Sequence, residues 1–157
     1  MGAAGTAPKT LPQAVLFCCD HNAIRSPMAE GIMKKLYGEA CYVQSVGLRS
    51  DAEIDGFAIA VCAEIGVELS RHRSRSFDGL IEEGDDLSSY DLVVALSEAS
   101  RHRAEALAER WHMAVEYWPL PDPGAPGAGE GREARLDATR RIRDAIQARL
   151  KARWAEG

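Results

Sequence analysis

The sequence predicts a single α/β domain: a four-stranded parallel sheet flanked by helices, with the candidate site in the loop after the first strand. Three observations predict it. Short apolar runs alternate with segments whose apolar residues recur at helical spacing, the pattern of a parallel sheet covered on both faces. The 157 residues suit one domain and can bury a core without staples. No internal repeat or long linker divides the chain.

Residues 1–12 are rich in Ala, Gly, Thr and Pro and read as a disordered lead-in, leaving 13–157 for the domain. They lack the basic and apolar regions of a secretory signal. Ala14 to Cys18 (AVLFC) is wholly apolar and reads as a buried parallel strand. Ser26-Pro27 reads as an N-cap followed by proline at the first helical position. Met28, Ile32, Met33 and Leu36 continue one helical face up to a stop at Gly38. Cys41 to Val46 is the second strand, turned by Gly47. Asp55 to Ile65 is a second helix, closed by Gly66.

An arginine-rich segment, LSRHRSRSFDGL, follows, then an acidic stretch from Glu82 to Asp86 that reads as a solvated loop. Arg73 and Arg75 are expected to pair with those acids. Tyr90 to Leu96 is the third strand, and Ser97 caps the next helix. Met113 to Trp118 is the fourth strand. PLPDPGAPGAGEG is too dense in Pro and Gly for regular structure. From Arg132 to Trp154, Leu136, Thr139, Ile142, Ile146, Leu150 and Trp154 recur at helical spacing and are expected to pack on the sheet.

The 19 basic and 24 acidic residues leave a net charge of −5. That argues against nucleic acid or an anionic membrane as partner, since such affinity needs basic residues. No apolar run approaches the ~18 residues of a membrane span. Cys18, Cys19, Cys41 and Cys62 do not form a disulfide framework, and adjacent Cys18 and Cys19 suit neither a bridge nor the usual zinc spacing. Free thiols point to the cytoplasm. No metal or cofactor is expected.

Parallel sheets bind ligands at the carboxyl ends of their strands, which places the site at Cys19-Asp20-His21-Asn22-Ala23-Ile24-Arg25-Ser26. The loop amides and the helix N-terminus make an anion site. Arg25 can grip an oxyanion with two parallel hydrogen bonds. The same positive surroundings favour the thiolate of Cys19, a strong nucleophile. Cys18 continues the apolar alternation and reads as inert core. Asp122 lies past the fourth strand, at the same sheet edge, stiffened by Pro121 and Pro123; one carboxylate there can protonate a leaving group and then activate water.

The segment VLFCCDHNAIRSPMAEG resembles the active-site segment of the low-molecular-weight protein tyrosine phosphatases, which share a fold with one class of arsenate reductases. Ser45 in QSVG, the HRSRSF segment, YDLVVAL and the late Asp-Pro follow in the family's order. The resemblance implies Cys19 as nucleophile, Arg25 as phosphate-binding arginine and Asp122 as general acid. It implies that Asn22, Ser26, Ser45 and His72 form a polar network supporting the loop. Substrate would lie against Asp20, His21, Asn22, Ala23, Ile24, Arg25 and Ser26.

The implied activity is hydrolysis of a phosphate monoester, on a phosphorylated protein or a small molecule, through a phosphocysteine. Inorganic phosphate would be product or inhibitor. The alternatives are an arsenate reductase using an external thiol and a non-catalytic oxyanion-binding module. Thioredoxin-coupled reductases need two further cysteines, and none follows Cys62.

Four positions depart from the family pattern. His21 stands where glycine is usual, Asp20 where an apolar residue is frequent, and Ile24 where a second loop cysteine is common. Gly124, followed by Ala125, stands where tyrosine phosphatases carry a stacking aromatic, worth about 0.5–1.5 kcal/mol.

Overall fold

The computed structural model describes residues 10–123 and 131–154. Most of the lead-in, together with Gly124 and Ala125, lies outside the described residues. The central strand β1 (Ala14–Cys19) is buried along its whole length. It pairs in parallel with β2 (Tyr42–Gly47) on one side and β3 (Leu92–Ala95) on the other. The strand β4 (Ala114–Tyr117) adds to β3, giving the order β2-β1-β3-β4.

Side chains alternate across a strand, so β1 feeds two cores. Val15, Phe17 and Cys19 face α1 (Arg25–Tyr37), α2 (Gly56–Ala63) and α5 (Arg132–Trp154), among Met28, Ile32, Val61, Ile146 and Trp154. Leu16 and Cys18 face α3 (Phe77–Glu82) and α4 (Glu98–Trp111), among Phe77, Leu80 and Ala104. On the first face Phe17, Trp118 and Trp154 form a ring cluster, with centroids 6.1 and 5.7 Å apart. Each such pair adds about 0.5–1.5 kcal/mol beyond burial. The helix α5 is also tied to α2, because Arg143 donates to the Val61 carbonyl at 2.8 Å and pairs with Glu64. Hydrogen bonds from Arg140 first and Arg143 second hold the Glu64 carboxyl down to about 2.

Three details differ from the sequence reading. The helix α1 starts at Arg25, its cap position is Ile24, and no side chain caps it. Ser26 is inside the helix rather than capping it, because its hydroxyl is committed to the site described below. Pro27 still sits in the first turn, where no intrahelical N–H is needed. Secondly, the arginine-rich segment ends in a helix: Ser76 caps α3, its hydroxyl accepting from Gly79 N–H at 3.0 Å. Thirdly, Arg75 turns away from the acidic stretch and donates to Gln44 Oε1.

Candidate active site

The carboxyl ends of β1 and β2 hold the loop between β1 and α1. Leu48 N–H donates to the Cys19 and Asp20 carbonyls at 3.1 and 2.9 Å. Gly47 is required here, since a Cβ would come within 2.6 Å of Asn22 N and 2.8 Å of His21 C. The loop turns through Asn22, whose φ of 54° lies in the left-handed region that asparagine tolerates better than most residues.

Asn22 is fully buried, and its amide is the centre of the supporting network. Nδ2 donates to Ser26 Oγ at 2.8 Å and Ser45 Oγ at 2.9 Å. Oδ1 meets His72 Nε2 and accepts from Arg75 N–H, both at 2.9 Å. Ser74 Oγ donates to the Asn22 carbonyl at 2.8 Å. Ser45 Oγ donates to Glu30 Oε1 at 2.6 Å. Burial holds the His72 imidazole below its ordinary value; Glu30 opposes this and Arg75 adds to it.

Cys19 Sγ lies 2.9 Å from Ser26 Oγ. Because Ser26 Oγ already accepts from Asn22, its own hydrogen is available to the sulfur or to the Val46 carbonyl at 3.3 Å. A hydroxyl so oriented stabilises a thiolate. Cys19 is 2% exposed and Arg25 7%, so the guanidinium is drawn inward rather than left in solvent. Arg25 NH1 donates to the Leu120 carbonyl at 3.0 Å, and NH2 stands 3.5 Å from Asp20 Oδ2. Asp20 accepts from Ser97 Oγ at 2.7 Å.

Cys19, His21, Ala23, Ile24, Arg25 and Asp122 line one cavity of about 30 Å³. Asp122 therefore reaches it from the far end of the sheet edge. His21 is one of the residues lining the cavity, and its Nδ1 pairs with Asp51 Oδ1 at 3.1 Å. Beyond that pair lies a hollow of about 450 Å³, lined by Asp51, Glu53, Ser70 and Arg73 among others.

Sequence reasoning missed Ser74, Ser97 and Asp51 as partners of the loop, and Glu30 as a partner of Ser45 behind it. Glu30 had a signal: it lies four residues after Ser26 on the same helical face. The others are brought in by tertiary contacts between distant segments.

A parallel sheet with a cysteine, a buried arginine and a carboxylate around one cavity at its carboxyl edge defines a cysteine enzyme built for oxyanions. The chain belongs to the low molecular weight phosphotyrosine protein phosphatase family, whose profile matches residues 14–154. That family's fold carries both phosphatases and arsenate reductases. An arsenate reductase of Bacillus subtilis strain 168 is 31% identical over 138 residues, spanning 87% of this chain and 91% of the relative. A solved arsenate reductase in its phosphate-binding state has a TM-score of 0.70 at 27% identity, covering 89% of this chain and 95% of that one. Vibrio vulnificus Wzb in complex with benzylphosphonate is similar in fold, with a TM-score of 0.67 at 23% identity over 89% of this chain and 98% of that one.

Proposed function

We propose that this protein reduces arsenate with an external small thiol, using Cys19 as nucleophile. The observation that carries the reading is the cavity over Cys19. It groups the Cys19 thiol, the Arg25 guanidinium and the Asp122 carboxyl around one small space, and among the described residues no Phe, Tyr or Trp lines it to receive a substrate ring. The arsenate reductases that resemble the chain over nearly its whole length support it.

Arg25 and the loop amides hold the arsenate oxygens. The Cys19 thiolate attacks arsenic; an S–As bond forms and an As–O bond breaks. The departing oxygen takes a proton from Asp122 and leaves as water. Cys62 and Cys41 lie in the core, where burial pushes their thiols up to about 12 and about 11, so neither serves as a relay. An external thiolate instead attacks the Cys19 sulfur. The S–As electron pair goes to arsenic, which departs as arsenite, while the two sulfurs are oxidised to a mixed disulfide. A second external thiol frees Cys19 by exchange.

A second reading, hydrolysis of a phosphate monoester through a phosphocysteine, is favoured by Asp122 in the same cavity. There the carboxyl protonates a leaving alkoxide and then activates water.

Paired assays separate the two. Wild type is expected to reduce arsenate only when a small thiol such as glutathione is supplied, and Cys19→Ser to lose both this and any aryl-phosphate turnover. Asp122→Asn should slow hydrolysis of poor leaving groups by about 10²–10⁴-fold. Aryl-phosphate turnover without thiol-dependent reduction would favour the second reading. Undiminished turnover in Cys19→Ser would overturn both.

A further inference from the structure

The arginine-rich segment is only partly used by the site. His72, Ser74 and the Arg75 backbone hold Asn22, whereas the cationic side chains of Arg71, Arg73 and Arg75 point elsewhere. With Lys34 of α1 they line a hollow of about 260 Å³ in which Glu30 is the only lining acid. Glu30 is already committed, through Lys34 Nζ at 2.5 Å and Ser45 Oγ at 2.6 Å. Arg75 is spent on the neutral amide of Gln44. Arg71 lies near Glu68, whose carboxyl accepts from Ser70 N–H at 2.7 Å and is lowered chiefly by the Ser70 hydrogen bonds, with Arg71 adding less. Four cations against one engaged carboxylate form a strongly positive depression on a chain whose net charge is −5.

We propose that this hollow binds a small polyphosphate-class anion, such as the di- or triphosphate group of a metabolite. Guanidinium forks match phosphate oxygens two at a time. Arg71 and Arg73, two residues apart, bring two forks to one depression, with Arg75 beside them held by Gln44, where a single charge would steer only weakly. The volume suits a small molecule and is far larger than the cavity over Cys19. The site is distinct from the reacting one: the buried Asn22, Ser26 and Ser45 stand between His72 and the Cys19 sulfur. The wall of the hollow is also the segment that grips Asn22, so its occupant bears on the loop's support.

Inorganic tripolyphosphate is the probe, titrated calorimetrically into the full chain at low salt. Wild type and Cys19→Ser are expected to bind it alike. The double variant Arg71→Glu/Arg73→Glu should bind about tenfold more weakly or worse, and Arg73→Gln should fall between. Thermal melting checks that the double variant folds, and Arg73→Gln alone carries the test if it does not. Three results overturn the proposal: no binding to wild type, wild-type affinity in the Arg71 and Arg73 variants, or binding abolished by Arg25→Ala while those variants keep it. The last would locate the anion at Cys19. None of these outcomes depends on arsenate reduction, so this proposal and the functional reading fail separately.

Discussion

Cys18 and Cys19 are neighbours in sequence and belong to opposite sides of the sheet. Cys18 points into the core beneath α3 and α4, where its sulfur lies against the carbonyls of Val94 at 3.7 Å and Ser100 at 3.9 Å. Burial pushes its thiol far above the ordinary range. Cys19, one step along the strand, meets a hydroxyl at 2.9 Å and shares a cavity with Arg25 and Asp122. Identical side chains thus receive opposite chemistry from the two-residue period of a strand. The surroundings of each sulfur are set by which face of β1 it occupies and by what the next loop places beside it.

The largest effect that sharpens this contrast is expected from substitution of each sulfur in turn. Cys19→Ser should reduce oxyanion turnover by roughly 10³-fold or more, the scale on which loss of a covalent nucleophile is felt. Cys18→Ala should leave the turnover number within about twofold and cost stability instead, on the order of 1 kcal/mol for a small buried truncation. Steady-state assays with urea unfolding check both. Equal kinetic losses would erase the distinction.

A smaller effect concerns the support behind Cys19. His72 is held below its ordinary value chiefly by burial, so the unfolded chain takes up a proton before the folded one. Stability linked to His72 is therefore present at pH 7.5 and lost as pH falls below about 6.5. Melting temperatures at pH 7.5 and 5.5 should show that fall in wild type. His72→Gln, which keeps an amide donor for Asn22, should flatten it. An unchanged slope would remove His72 from the acid response of the loop.

Much of this architecture was legible in the sequence because strands and long helices carry their own periodicity. AVLFC, YDLVVAL and the tail helix need no distant partner to be recognised. The loop was legible too, since a cysteine at a strand end with an arginine six residues later and a helix behind it is a local pattern. The failures share a cause. Ser26 looks like a cap from its neighbours, yet Asn22 and Cys19 claim its hydroxyl. Arg75 looks like a partner for nearby acids, yet Gln44, far off in sequence, takes it. The Ser97–Asp20 contact joins residues 77 apart in sequence. Side-chain commitments of this kind are settled by the fold, and no local spacing announces them.

The most direct measurement is competitive alkylation. The chain is treated with iodoacetamide at pH 7 with and without inorganic phosphate, and each cysteine is mapped by mass spectrometry. Cys19 should be modified first and protected by phosphate, with Cys18 untouched under both conditions. Labelling of Cys18 ahead of Cys19, or labelling of Cys19 that phosphate leaves unchanged, would contradict the account.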